Sequence, residues 1–283
     1  MVNKLDELKR ILRECGRVTV AFSSGVDSTF LLKVARDTLL RENVTAVTIA
    51  SAFTKSSELS EAISFCKQND IYHEIIDVNV LAIPEIRSNP ENRCYICKKM
   101  IFEQIIKGSK GYIVCEGSNV DDMSDYRPGM QAIKELNVKS PLKEAGLTKA
   151  EIRAFSKELN LPTWDKPSAA CLASRLAYGE EITLEKLKCV DKAEEKLLKY
   201  GFSQFRVRAH GEIENLIARI ELTAQDMQRV ISNENIRNEI SDCIKEEGFR
   251  FVTLDLSGYR MGSMNEMLKN RDVWKDLKEQ KRL

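Results

Sequence analysis

The chain has 283 residues, of which 43% are hydrophobic and 31% charged, and its net charge is +1. This composition is typical of a globular protein with one or two domains, and the near-zero charge gives no argument for nucleic acid or an anionic membrane as a partner. No apolar run in the sequence is long enough for a membrane span, and two histidines exclude a His-rich metal site. Eight cysteines without an export signal predict reduced thiols in a cytoplasmic protein.

Short β-branched runs alternate with helical patterns through the first half of the chain. The predicted strands and helices of this half cover 17–22, 28–40, 43–50, 58–69, 71–78, 97–106, 111–117 and 148–159. Runs of the first type predict strands, and apolar residues three or four positions apart predict helices. This order predicts an α/β fold, a doubly wound parallel sheet with helices on both faces. Ligands of such sheets bind at the carboxyl ends of the strands.

The pattern changes near Tyr178. It continues with helices at 184–200, 224–231 and 234–247, a β-hairpin at 205–222 and a strand at 249–256. Helices and strands that do not alternate regularly predict an α+β domain. We therefore expect two domains, 1–178 with the ligand site and 179–283 for substrate binding or oligomerisation.

The segment AFSSGVDST, residues 21–29, connects the first predicted strand to the first helix. Small residues let consecutive backbone N–H groups converge on an anion, and the start of the helix adds partial positive charge. The hydroxyls of Ser23 and Ser28 can donate to phosphate oxygens, and Asp27 suits a phosphate only with Mg²⁺ between them. The alternative is a helix N-cap at Asp27 or Ser28 without a ligand.

The run SSGVDS resembles the SGGxDS loop of the PP-loop ATP pyrophosphatases, with Ser24 where that family has glycine. Segments 92–102, 116–133 and 141–180 are similar to the ATP-dependent sacrificial sulfur transferases of the LarE family. This resemblance implies a PP-loop (HUP-like) fold for the first domain. It also implies adenylation of a pyridinium biscarboxylic acid mononucleotide with ATP and Mg²⁺. The carboxylates would become thiocarboxylates on the way to the nickel-pincer nucleotide cofactor, and the family suggests a homo-oligomer, a hexamer.

The resemblance also implies which residues bind the nucleotide and its metal. Those expected at the nucleotide are Ala21, Ser23, Ser24, Gly25, Val26, Asp27, Ser28, Ser51, Gly117 and Asn119. Carboxylate oxygens are preferred by Mg²⁺, and we expect Asp27 and Asp122 to supply them. The alternative for residues 118–122 is the N-terminus of a helix.

Three cysteines carry the sulfur chemistry that the resemblance implies. Cys94 and Cys97 form a CxxC pair, and Cys171 lies in the loop that holds the family's sulfur-donating cysteine. Thiolates are the usual ligands of iron–sulfur clusters, and three ligands on a [4Fe-4S] cluster leave one iron open to carry a sulfide. We therefore expect cluster binding by the three cysteines and a catalytic role for Cys171. The alternatives are that Cys171 gives up its own sulfur once, or that the group is a zinc site or a redox pair.

Arginines in the second half are candidates for binding the anionic substrate. Arg206 and Arg208 alternate along a predicted strand and so share one face, and Arg175 follows Cys171 closely. Guanidinium groups bind phosphate or carboxylate in a bidentate manner, and Glu194 is a candidate for pairing with them at the substrate site. The alternative is a solvated charged face on an amphipathic hairpin.

Two other functions are compatible with the same loop. A tRNA-thiolating PP-loop enzyme would also combine the loop with three cysteines, although it would normally have a basic surface. A non-catalytic adenine-nucleotide sensor with structural zinc would bind ATP without releasing pyrophosphate. Pyrophosphate release separates the sensor from the two enzymes.

Overall fold

The computed structural model describes residues 3–124, 128–167, 170–202 and 204–265. It divides the chain into two units, Met1–Cys171 and Leu172–Leu283. The division lies in the polar loop that precedes residue 178. No helix among the described residues is long and apolar enough to cross a membrane.

Four parallel strands form the sheet of the N-terminal unit. They are β1 Val18–Ala21, β2 Val44–Ala50, β3 Tyr72–Asp77 and β4 Ile113–Cys115, in the order β3-β2-β1-β4. All three strand pairs are parallel, which confirms the predicted α/β sheet. Because β1 has β2 on one side and β4 on the other, the chain leaves β1 at a topological switch point. In sheets of this kind ligands bind at such a point, beyond the carboxyl ends of the strands.

Helices pack on both faces of this sheet. They are α1 Lys4–Cys15, α2 Val26–Thr38, α3 Ser56–Gln68, α4 Pro84–Arg87, α5 Arg93–Gly108, α6 Pro128–Glu135, α7 Pro141–Glu144 and α8 Lys149–Glu158. Successive strand residues point to opposite faces, and Ala46 and Val47 accordingly belong to different hydrophobic clusters. Phe30 of α2 packs in the first cluster and Phe102 of α5 in the second. The sequence pattern missed the short helices α4, α6 and α7.

The start of α8 is fixed by reciprocal capping. The Thr148 hydroxyl accepts from the Glu151 N–H at 3.3 Å, and the Glu151 carboxylate accepts from the Thr148 N–H at 2.9 Å. Lys4 of α1 donates to the same carboxylate at 2.7 Å. Hydrogen bonds from Lys4 and then Thr148 lower the pKa of Glu151 to about 2. The first turn of α8 therefore has a defined position, from which Lys149 projects.

In the described residues of the C-terminal unit, a small mixed sheet is accompanied by three α-helices. Its elements are α9 Leu184–Lys199, β5 Phe205–His210, β6 Ile217–Leu222, α10 Ala224–Ser232, α11 Glu234–Lys245 and β7 Phe251–Leu254. β5 and β6 form the predicted antiparallel hairpin, and β7 pairs with β6 in parallel. In the hairpin register Arg206 lies opposite Glu221, and Arg208 lies opposite Arg219.

Candidate active site

The turn between β1 and α2 leaves backbone N–H groups available at the start of the helix. Gly25 is the N-cap of α2 and supplies no side-chain capping hydrogen bond. The first N–H groups of a helix have no acceptor within it. The Ser28 hydroxyl turns back instead, accepting from the Ser23 N–H at 3.3 Å and lying 3.1 Å from the Ser23 hydroxyl. The helix start is thus suited to an anion, and the N-cap lies at Gly25 and not at Asp27 or Ser28.

Ser24 adopts a left-handed backbone conformation, with φ of +51°. This conformation costs a residue other than glycine about 1–2 kcal/mol. The buried Ser24 hydroxyl donates to the Glu58 carbonyl at 3.0 Å, a contact that a glycine would lack. The sharp turn of the phosphate loop is therefore made with serine in the place where the resembling family has glycine.

Asp27, in the first turn of α2, joins two other segments. It accepts from the Asn119 amide at 3.1 Å and forms an ion pair with Lys149. The Asn119 N–H donates to Asp122 at 3.0 Å, and the Lys149 N–H donates to Asp121 at 2.8 Å. Both carboxylates expected to hold Mg²⁺ are therefore engaged within the chain. A cation at Asp27 would compete with the Lys149 ammonium group.

Gly117 lies directly against the start of α2. A Cβ atom at this position would be 3.0 Å from the Ser28 nitrogen and 3.2 Å from the Asp27 carbonyl carbon and Cβ. Such distances require the backbone to shift, because the neighbouring atoms belong mainly to main chain. Glycine at 117 thus permits the segment after β4 to approach the phosphate loop.

The remaining residues expected at the nucleotide also lie at this edge of the sheet. Ala21 ends β1, and Ser51 follows β2, where its hydroxyl accepts from the Phe53 N–H at 3.2 Å and lies 3.1 Å from the Thr54 hydroxyl. Val26 is buried in the core, so only its backbone is available to a ligand. Parallel strands bring their carboxyl ends to one edge, and the predicted nucleotide residues are brought together there.

The three expected cysteines are neighbours. Cys94 and Cys97 lie near the start of α5, and Cys171 is exposed in its loop. Burial raises the pKa of Cys97 to about 12, and the nearby Cys171 and Cys94 raise it further. Arg93 donates to the Cys94 sulfur at 3.9 Å. Cys97 therefore stays a protonated thiol until a metal replaces its proton.

Nearness of the thiols is not the same as a formed metal site. Within the described part of the chain, no group of three or more His, Cys, Asp or Glu side chains is arranged to hold a metal ion. The chemistry of the donors suits an iron–sulfur cluster, since three thiols meet from two segments. Their present spacing does not provide its coordination.

Two lysines beside the phosphate loop were missed by the sequence analysis. Lys149 pairs with Asp27, and Lys166 donates to the Ser24 carbonyl at 3.1 Å. Both lie in the segment 141–180 that resembles the LarE family, but the sequence assigns neither of them a role, because each meets the loop only in the folded chain. The position of Lys149 directly after a capping threonine is the one local signal, since it places the lysine in the first turn of a helix.

The C-terminal unit buries two of the expected substrate-binding arginines. Arg175 is 0% exposed and binds Glu194 through two hydrogen bonds of 2.9 and 3.0 Å. Arg208 is 4% exposed and binds Glu221 through two hydrogen bonds of 3.0 and 2.8 Å. The sequence correctly predicted that Arg206 and Arg208 alternate along β5. The guanidinium groups of Arg175 and Arg208 are nevertheless buried, and they bind internal carboxylates. We therefore correct Arg175, Glu194 and Arg208 from substrate contacts to internal supports.

Arg206 differs from these two arginines. Its side chain is half-buried and lies over the Tyr259 ring, 5.2 Å from the centroid. Burial lowers the pKa of Arg206 and the Arg175 charge lowers it further, while Tyr259 and Glu194 act in the opposite direction. Of the four expected substrate residues, Arg206 is the one whose side chain is partly exposed.

Sequence comparison finds similarity over nearly the whole chain. A family model described as NAD synthase matches residues 2–92, which include the phosphate loop. A pyridinium-3,5-bisthiocarboxylic acid mononucleotide synthase of Lactiplantibacillus plantarum is 36% identical over 272 residues, 95% of this chain and 96% of that protein. Uncharacterized proteins of Synechocystis sp. and Methanocaldococcus jannaschii are 42% and 32% identical, over 94% and 92% of this chain and 98% of each relative.

The close approach at Gly117 predicts the effect of adding one methyl group. Gly117→Ala should weaken nucleotide binding about tenfold or more, because the new Cβ displaces the first turn of α2. Isothermal titration with a non-hydrolysable ATP analogue measures the affinity. Gly108→Ala is the matched control, since its Cβ would lie 3.5 Å from the Ile76 side chain, an ordinary contact. Equal affinities of the two variants would contradict the prediction.

The burial of Glu221 predicts its contribution to stability. Glu221 is 0% exposed and binds both Arg208 and Arg219. Glu221→Gln should lower the free energy of unfolding by about 3–5 kcal/mol, because it leaves buried guanidinium charge without its counter-ion. Urea unfolding followed by circular dichroism measures the change. Glu195→Gln, at an exposed position, should change it by less than about 0.5 kcal/mol. Similar losses at both positions would show that the pair is not a support.

Proposed function

The chain belongs to the family of the pyridinium-3,5-bisthiocarboxylic acid mononucleotide synthase, the LarE family of adenylating PP-loop sulfurtransferases, and on this premise we propose that it makes the same product. Its substrate is then the pyridinium biscarboxylic acid mononucleotide, whose carboxylates it adenylates and converts to thiocarboxylates. The observation that carries the proposal is 36% identity over nearly the full length of both proteins. The open start of α2 supports it independently.

Adenylation is the step to which the phosphate loop contributes. A carboxylate is a poor electrophile, so its oxygen attacks the α-phosphorus of ATP, pyrophosphate leaves, and an acyl-adenylate forms. The N–H groups at the start of α2 are suited to the charge that builds on the leaving pyrophosphate. Lys149 and the hydroxyls of Ser23 and Ser28 add donors at the same edge. Mg²⁺ would supply further neutralisation, with Asp27 as its first candidate ligand once Lys149 moves to phosphate.

Sulfur delivery is assigned in this proposal to Cys94, Cys97 and Cys171. When bound, a [4Fe-4S] cluster would supply an open iron that carries the sulfide for the acyl-adenylate. Arg93 would balance thiolate charge at Cys94, and the burial of Cys97 would exclude water from one side of the group. The exposure of Cys171 favours a second possibility, in which its own sulfur attacks the adenylate and is lost from the protein by elimination.

Arg206 is the proposed contact for the phosphate of the substrate. Its guanidinium is partly exposed at the end of a side chain that lies over the Tyr259 ring, and a guanidinium in such a position can bind phosphate in a bidentate manner. Arg175 and Arg208 would then act indirectly, by holding the strand and loop that carry Arg206. For the assembly we propose a homo-oligomer, with a hexamer as the family resemblance suggests.

The proposed reaction predicts substrate-dependent pyrophosphate release. With ATP, Mg²⁺ and the pyridinium biscarboxylic acid mononucleotide, the protein should release pyrophosphate and give a product with sulfur in place of carboxylate oxygen. A coupled phosphate assay and mass spectrometry of the nucleotide measure the two products. Nicotinic acid mononucleotide serves as the control substrate. Release stimulated by tRNA instead, or ATP binding without release under every condition, would contradict the proposal.

The sulfur source predicts a metal content. After anaerobic purification, the wild type should contain about four irons with sulfide, and Cys94→Ala should lose them. Cys66→Ala is the matched control, because Cys66 is buried in the core cluster away from the trio and should leave the iron content unchanged. Stoichiometric zinc would overturn cluster binding. An iron-free protein whose Cys171 loses the mass of H₂S during reaction would identify Cys171 as a single-use donor.

A further inference from the structure

Lys166 joins the segment that leads to Cys171 to the phosphate loop. Its ammonium donates to the Ser24 carbonyl at 3.1 Å and forms an ion pair with Glu61 of α3. Lys166 precedes Cys171 by five positions, a length of chain that spans at most about 17 Å. The contact at Ser24 therefore limits how far Cys171 can lie from the loop.

The backbone of the same segment is held from the other side by α8. Arg153 donates to the Trp164 carbonyl and to the Lys166 carbonyl, both at 2.7 Å. The Lys157 ammonium lies over the Trp164 ring, 4.7 Å from its centroid. The main-chain carbonyls on both sides of Asp165 are therefore held by α8.

Together with the start of α2, these contacts connect three parts of the chain in a ring. Lys149 ties the first turn of α8 to Asp27, Arg153 ties the middle of α8 to the segment, and Lys166 returns from the segment to Ser24. Ser24 and Asp27, the two residues of the phosphate loop in this ring of contacts, are three positions apart. A displacement of the loop is therefore transmitted to the segment by two routes.

We propose that Lys166 is a positioning residue that couples adenylation at the phosphate loop to sulfur transfer at Cys171. This inference rests on the proposed function and deepens it, since it concerns the fate of the acyl-adenylate. The adenylate has two possible fates. Sulfur attack on its carbonyl carbon expels AMP and gives thiocarboxylate, whereas water attack expels AMP and returns the carboxylate. Lys166 favours the first fate by keeping the sulfur-bearing segment against the loop.

The chemistry of the contact explains why a lysine is needed. The ammonium group has three donors, and two acceptors from different elements, the Ser24 carbonyl and the Glu61 carboxylate, share them. Methionine keeps most of the apolar stem but donates nothing. Arginine has several donors and a similar reach, so it can restore both contacts.

The test measures how many pyrophosphates are released for each thiocarboxylate formed, with enzyme in excess over the pyridinium substrate. Lys166→Met should raise this ratio about tenfold, while the rate of pyrophosphate release stays within about threefold of the wild type. Lys166→Arg should return the ratio close to the wild-type value. Lys192→Met is the matched control, since it also breaks a Lys–Glu ion pair, with Glu247, but lies on α9 of the C-terminal unit and belongs to none of these contacts. Its ratio should equal that of the wild type.

The ratio separates positioning from loss of structure, because a partly unfolded enzyme loses both products in proportion. An unchanged ratio in Lys166→Met, or a proportional fall of both rates, would overturn the inference and leave the proposed function standing. A wild type that releases pyrophosphate and forms no thiocarboxylate, or releases none, would overturn the proposed function itself. The ratio of pyrophosphate to thiocarboxylate in the wild-type protein is therefore the reference measurement.

Discussion

The ion pair between Asp27 and Lys149, with the Asn119 amide on the second carboxylate oxygen, fixes the geometry of the N-terminal unit at one point. It joins the helix that follows β1, the segment that follows β4 and the helix that leads into the cysteine loop. These segments are distant in sequence, and their meeting point lies at the carboxyl edge of the sheet. Gly117 makes the meeting possible, because it admits the main chain within contact of α2. The start of α2 and the helix that leads towards the Cys171 loop therefore share a common support.

Much of the framework could be predicted because it depends on local periodicity. The β-branched runs around Val18 and Val44 became parallel strands, and the predicted hairpin at 205–222 formed. The phosphate loop was recognisable because its small residues are consecutive. Short helices such as Pro84–Arg87 were missed, since four residues carry no measurable period.

The parts of the site that escaped prediction depend on contacts between distant segments. Lys166 reaches Ser24 across 142 positions, and no spacing rule connects them. The partner of Arg208 could have been found from the sequence. Glu221 lies in the second strand of the hairpin, opposite Arg206, and an acidic residue there indicates an ion pair with an arginine of the first strand. The alternation that placed two arginines on one face was sound, but it contained no information on burial. The buried pairs Arg175–Glu194 and Arg208–Glu221 show that such a face can be turned inward.

The left-handed turn at Ser24 determines when the phosphate loop becomes ordered. Its hydroxyl donates to the Glu58 carbonyl, a hydrogen bond made within the folded chain. Contacts of this kind fix the turn during folding, so its conformational entropy is lost at that stage. A nucleotide that meets such a loop retains more of its interaction energy as affinity, as expected for a preorganised receptor. The unfavourable conformation of Ser24 thus lowers the stability of the folded chain, while the fixed turn favours the free energy of nucleotide binding.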